Sequence, residues 1–307
     1  MKISIIGAGN VGGLAAMRIA QDNHKEEVCL IDIVPGMAKG KACDLDDCRQ
    51  ILNNPYQIEG TDDINLLKNS QIIVITAGLA RKPGMTREDL LNKNFQILKG
   101  VCEKVKTLAS EAIVIIVTNP LDNMTYYANK ILGFNRRKVF GMGVTLDGSR
   151  FANLISQELK IPANEIKPVV IGSHGEAMLP LPRFTLVGKK PLTTMVKDPG
   201  QIKSLINKTV ERGKEIVSLL GSGSAYFAPS AAIAEIVKTI VKDEKKSLGI
   251  SAYLDGEYGL KGICVGVPCI IGAGGIEKII ELDLDPQEKK AFCESAESIR
   301  KLNTILE

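Results

Sequence analysis

Apolar residues recur along this chain in two alternating rhythms, and their order predicts most of the architecture. Residues 2–6 are a short apolar run, 11–21 carry apolar side chains at helical spacing, and 28–31 return to a β-branched run. That switch of period is the mark of a βαβ unit. The succession continues with a strand at 72–76, a helix at 90–108 and a strand at 112–117. Within the last, Ile113-Val114-Ile115-Ile116-Val117 has no polar member, as expected of a parallel strand covered on both faces. Right-handed crossovers between such strands predict an α/β fold with a doubly wound parallel sheet over residues 1–145.

After residue 145 the pattern changes. Residues 146–159, 204–219 and 229–241 read as helices, whereas 169–171, 251–254 and 262–267 read as strands interrupted by Gly and Pro. A polar helix follows from about Pro286. The expectation is an α+β substrate-binding domain over 146–307. No repeat or low-complexity linker separates the halves, so they should pack tightly, with the functional cleft between them.

Composition narrows the function classes. A chain of 307 residues can bury a sizeable core. Its 39 basic and 35 acidic residues give a net charge of +4 without a clustered basic face, which argues against nucleic acid as a partner. The seven cysteines include no CxxC pair, and most lie in apolar runs, as reduced thiols of a cytoplasmic protein would. Neither Cys43/Cys48 nor Cys264/Cys269 has a nearby histidine or a common zinc spacing, so no metal site is expected. The N-terminus shows no basic leader or cleavage site, and no apolar stretch reaches the roughly 20 residues of a membrane span. Neither export nor membrane insertion is expected.

Candidate chemistry lies in a few short segments. Gly7-Ala8-Gly9-Asn10-Val11-Gly12 is a GxGxxG between a strand and a helix. In that setting Gly7 permits a tight turn, Gly9 lets a pyrophosphate approach the backbone, and Gly12 lets the helix pack closely on the strand. Asp32 ends the next strand, where a carboxylate accepts ribose hydroxyls and repels a 2′-phosphate. The implied cofactor is NAD bound in a Rossmann crevice; the plain alternative is an aspartate capping a turn. Of the two histidines, His24 sits in a charged loop, while His174 lies in Ile171-Gly172-Ser173-His174-Gly175-Glu176 among small neighbours. His174 is therefore the candidate for proton transfer near neutral pH. Arg81 and Arg87 flank Lys82-Pro83-Gly84-Met85-Thr86 beyond the strand at 72–76, placed to clamp an anion bidentately. Asn119 closes another strand at the same sheet edge, and Asp147 and Arg150 share a helix face three residues apart.

The ordered set GAGNVG, AGLARKPGMTRED, TNPLD, LDGSR and GSHGEAMLPLPR, with GSAYFAPSAA after it, resembles the malate and lactate dehydrogenases, and among them the lactate-dehydrogenase-like malate dehydrogenases of bacteria. The resemblance spans essentially the whole chain. It implies that His174 carries the proton, Asp147 orients its imidazole, Arg150 binds the substrate's C1 carboxylate, Arg87 polarises the carbonyl from a closing loop, and Asn119 assists at the oxygen. It further implies NAD contacts at Gly7, Gly9, Asn10, Val11, Gly12, Asp32, Asn94, Val117, Thr118 and Asn119, and a homodimer or homotetramer. The specificity position falls on Arg81. An arginine there demands a second carboxylate, because a buried arginine without its anion costs roughly 3–5 kcal/mol. The expected reaction is thus the reversible oxidation of (S)-malate to oxaloacetate. Arg81 opposes a lactate enzyme, and the set Asp147, Arg150 and His174 would have no purpose in a non-catalytic NAD sensor. Two departures stand out: GSHGE replaces the commoner GGHGD, and Ala225-Tyr226-Phe227 replaces a polar residue typical of lactate enzymes.

Overall fold

The computed structural model describes residues 1–22, 26–79 and 87–306, excepting the side chain of Arg87. His24 and Arg81 lie outside the described residues. The first half runs β1 (Lys2–Ile6), α1 (Asn10–Asp22), β2 (Glu27–Ile31), α2 (Met37–Leu52), β3 (Gln57–Thr61), β4 (Ile72–Ile75), α3 (Arg87–Leu108), β5 (Ile113–Ile116), α4 (Leu121–Leu132) and β6 (Val139–Gly141). The second runs α5 (Gly143–Leu159), β7 (Ile166–Lys167), β8 (Val170–Gly172), β9 (Met178–Pro180), β10 (Leu186–Val187), β11 (Lys190–Pro191), α6 (Leu192–Met195), α7 (Pro199–Leu220), α8 (Phe227–Val241), β12 (Lys246–Asp255), β13 (Lys261–Gly272), β14 (Gly275–Ile279) and α9 (Pro286–Asn303).

Strands β3-β2-β1-β4-β5-β6 lie side by side in that order, all parallel. The chain reverses its winding between β1 and β4, which opens the crevice where doubly wound sheets bind ligands. Both faces are covered, as the unbroken apolar strands predict. Ile3, Ile5, Val28, Leu30, Ile72 and Val74 join a core with Ala15, Ala16 and Ile19 of α1 and Ile233, Ile236 and Ile240 of α8. Their neighbours Ile6, Ile73, Ile75, Val114 and Ile116 face Leu91, Leu98 and Val105 of α3 and Met124 and Ala128 of α4. Each of the isoleucine, leucine, valine and methionine side chains among them contributes about 1.5–3 kcal/mol relative to exposure.

The sheet does not stop at β6. Ser251 of β12 pairs antiparallel with Gly141, and β13, β8 and β9 continue the sheet beyond it. A small separate sheet contains β11, β10 and β7. The second half is α+β, but its strands are longer than the sequence pattern predicts. Glycine was read there as a break, whereas Gly266 marks close approach: a Cβ on it would sit 2.6 Å from the Gly172 carbonyl of β8. Helix α5 begins three residues earlier than expected, which moves Asp147 from the first turn into the second. Helices α2 and α4 and strands β3 and β6 had no counterpart in the sequence reading. Two helix starts carry explicit caps. Asp198 accepts from Gly200 N–H before α7, and Asp285 and Glu288 form a reciprocal capping box at α9.

Candidate active site

The turn between β1 and α1 is built as its glycines require. Gly7 adopts φ 106°, where a side chain is strained. A Cβ on Gly12 would lie 1.8 Å from the Gly7 carbonyl, so α1 can start here only without one. Gly9 has nothing within 4 Å of where its Cβ would be, leaving bare backbone at the amino end of a helix, a favourable place for phosphate.

This loop forms one wall of a cavity of about 740 Å³. Gly9, Asn10, Val11 and Gly12 line it, as do Asn94, Val117, Thr118 and Asn119, and the second half contributes His174, Lys214 and Tyr226. The cleft therefore lies between the halves. Asp32 is not among the lining residues. Its Oδ2 accepts from Ala8 N–H at 2.6 Å and its Oδ1 from Val34 N–H at 2.9 Å, so it braces the glycine loop and caps a turn. Asn94 is also a brace: buried, it accepts from Leu79 N–H at 2.7 Å and donates to the carbonyls of Leu79 at 3.2 Å and Asn119 at 2.7 Å. It thereby ties the loops after β4 and β5 together. Thr118 donates to the Ala77 carbonyl at 2.7 Å across the same edge.

On the opposite wall, His174 Nδ1 lies 2.7 Å from Asp147 Oδ2, and Asp147 is fully buried. Arg150, one helical turn along α5, reaches Asp147 Oδ1 at 3.2 Å. Burial penalises a charged imidazole, but the charge and hydrogen bond of Asp147, with a further contribution from Asp122, outweigh burial and the opposing charge of Arg150. The net effect raises the His174 pKa above its ordinary value. With Nδ1 engaged, Nε2 is the ring nitrogen left for proton exchange at the cavity wall. Arg150 Nε is buried and has no hydrogen-bond partner among the described residues. The structure thus brings Asn119 and His174 to one cavity beside the glycine loop, with Asp147 and Arg150 behind His174 and, like Asp32, not among the lining residues. Arg81 and the side chain of Arg87 lie outside the described residues; the backbone of Arg87 opens α3.

Two features went unread in the sequence. Asp122 of α4, buried, accepts from the backbone of His174; the TNPLD motif contained it, but its acidity at a helix start had an ordinary explanation. Lys214 of α7 lies 3.3 Å from Glu176 at the cavity rim, a pairing across 38 positions that local spacing cannot reveal. Among the described residues, Glu27, Cys29 and Glu59 sit close enough together to hold a metal ion. They belong to β2 and β3, not to the cavity. No described helix is long and apolar enough to cross a membrane.

A doubly wound sheet with a glycine loop at its switch point, facing a carboxylate–histidine pair across a cleft, fits a nicotinamide-dependent oxidoreductase. Residues 1–141 match the NAD-binding domain of lactate/malate dehydrogenases, and residues 144–305 match the alpha/beta C-terminal domain of the same enzymes. The chain belongs to the lactate/malate dehydrogenase family. It is 47% identical over 305 residues to a malate dehydrogenase of Methanosarcina barkeri, covering 99% of this chain and 98% of that one. The crystal structure of Cryptosporidium parvum malate dehydrogenase superposes with a TM-score of 0.96 at 39% identity, covering 99% of this chain and 98% of that chain. The lactate dehydrogenase of the same organism, complexed with lactic acid and β-nicotinamide adenine dinucleotide, gives 0.94 at 36% identity, covering 99% and 97%.

Proposed function

We propose that this protein is an NAD-dependent malate dehydrogenase, interconverting (S)-malate and oxaloacetate. The observation that carries the reading is His174 on the wall of a cavity that the glycine loop also lines, held from behind by Asp147, which is in turn paired with Arg150. Choice of a dicarboxylate over lactate rests on the arginine at position 81, and curated relatives at 40–47% identity are named malate dehydrogenase.

The open backbone at Gly9 and the amino end of α1 fit a dinucleotide pyrophosphate, with Asn10, Val11, Val117 and Thr118 along its course and Asp32 toward the ribose. When bound, NAD supplies the acceptor for the hydride leaving C2 of malate. The remaining steps belong to side chains. Arg150 holds the C1 carboxylate. Neutral His174 takes the hydroxyl proton at Nε2 as C2 becomes a carbonyl, and Asp147 stabilises the imidazolium that results. Arg87 and Asn119 act at the substrate oxygen; in the reverse direction Arg87 offsets the charge that develops there. Arg81 pairs with the distal carboxylate. We assign residues 1–145 as the NAD-binding domain, which also lends Arg81, Arg87 and Asn119 to the substrate, and 146–307 as the catalytic and substrate domain, working as a homodimer or homotetramer in the cytoplasm. The seven cysteines, all unpaired, support that compartment.

Initial rates of NADH oxidation with oxaloacetate and with pyruvate, for the wild type and Arg81→Gln, test the proposal. Strong preference for oxaloacetate, collapsing in the variant, is expected. Pyruvate as the better wild-type substrate would overturn the role of Arg81, and turnover of neither would overturn the assigned activity.

A further inference from the structure

We infer that Asp122 is a positioning residue for proton transfer, holding the loop that carries His174 by that residue's own backbone. The inference rests on the reading of His174 as the proton carrier. Asp122 is the second residue of α4 and is 3% exposed. Its Oδ2 accepts from the His174 N–H at 2.7 Å and from the Ser173 hydroxyl at 3.2 Å, and its Oδ1 accepts from the Ser251 hydroxyl at 2.6 Å. Three donors thus converge from the catalytic loop and β12 on one carboxylate at a helix start, where the backbone dipoles favour negative charge. A buried carboxylate satisfied by hydrogen bonds fixes the groups that satisfy it, because leaving any of them unpaired costs the desolvation of that group. Ser251 is also the residue of β12 that pairs with Gly141 of β6, so Asp122 references His174 directly to the joint between the two halves.

The same loop is gripped from its other side. Ser295 of α9 accepts from Ser173 N–H at 2.8 Å and donates to the Ala177 carbonyl at 2.6 Å. Ser173 therefore has a partner for its hydroxyl and another for its amide. The charged groups facing His174 are Asp122 of α4, Asp147 and Arg150 of α5, and, at the rim, Glu176 and Lys214. Burial pushes the Asp122 carboxyl above its ordinary value, and its hydrogen bonds and the charge of His174 offset only part of that rise. Asp122 in turn favours the charged form of His174.

With two histidines in the chain, the experiment is a ring-proton NMR titration of the full-length enzyme, the His24→Gln variant assigning the resonances. In Asp122→Asn the midpoint of His174 should fall. The kcat for malate oxidation should drop up to about 100-fold, with KM for NAD little changed. A folded Asp122→Asn enzyme with the wild-type midpoint and kcat overturns the inference. If that variant does not fold, hydrogen exchange at the His174 amide of the unaltered protein decides instead. Protection far beyond that of a free loop is expected, and exchange at the free-loop rate overturns the role. A wild type that turns over neither malate nor oxaloacetate would defeat the assigned activity while leaving the titration and exchange measurements to judge Asp122.

Discussion

Asp147 has two tasks at one carboxylate: one oxygen faces His174 and the other Arg150. Its negative charge and hydrogen bond are what lift the His174 pKa against burial. The sign for catalysis follows directly. Malate oxidation needs neutral His174, so its rate falls as pH drops through the raised pKa; oxaloacetate reduction needs the protonated ring and falls as pH rises through it. Asp147→Asn removes the charge, so the acid limb of the malate profile should move to lower pH. The kcat should fall by about two orders of magnitude, within the usual range for general acid–base groups. A pH profile of kcat/KM in both directions checks the direction of each limb. At Arg87 the expected outcome separates chemistry from binding: Arg87→Gln should cut kcat far more than it weakens NAD affinity. Parallel kinetics and NADH titration check this, and comparable losses in both would defeat the role.

The helices and strands show where local pattern was sufficient. Glycine-loop variants test the first βαβ unit because its three glycines have different surroundings. Gly12→Ala would force a methyl to 1.8 Å from a carbonyl, and should destabilise the fold by about 1–3 kcal/mol as well as weaken NADH binding. Gly9→Ala meets open space. It should leave the denaturation midpoint of the unliganded protein intact while weakening NADH, because only the ligand needs that space. Chemical denaturation beside NADH fluorescence titration distinguishes the two. This unit was legible in sequence because period, apolar content and glycine spacing agreed. Helix α2 was not, since only Ala38 and Ala42 of its 16 residues are buried and no apolar stripe marks it. Strand β3 was hidden for a related reason: as the sheet's edge strand it contains Gln57, Glu59 and Thr61. In β12 and β13 the glycines concealed long strands whose neighbours lie too close for a side chain. The site residues on strand ends and loops were readable as types in order. Asp122 was not assigned a role, because its partners come from residues 173, 174 and 251.

At the scale of the molecule, the two halves share a core. Apolar residues of β1, β2 and β4 join the same cluster as Ile233, Ile236 and Ile240 of α8 and Val265 and Val267 of β13. Arg18 of α1 also donates to the Ser230 hydroxyl of α8 at 3.1 Å. Unfolding should therefore be a single transition, although the chain contains two family domains. Ile233→Ala, a truncation in the shared core, should lower stability by about 2–5 kcal/mol. Tyrosine fluorescence and far-UV circular dichroism should still report coincident denaturation curves; separate midpoints would show that the halves unfold independently.

The grip of α9 on the catalytic loop adds a timing constraint. Ser295 fastens residues 173 and 177, while Asn123 donates to Asn303 at 2.7 Å and Tyr127 to the Asn303 carbonyl at 2.7 Å. A growing chain on the ribosome has His174, Asp147 and Asp122 long before α9 emerges. Until that helix docks, the residues of proton transfer are present but their loop lacks the hydrogen bonds that Ser295 supplies. Activity should accordingly arise only after α9 has emerged, well after the glycine loop and its helix have been made.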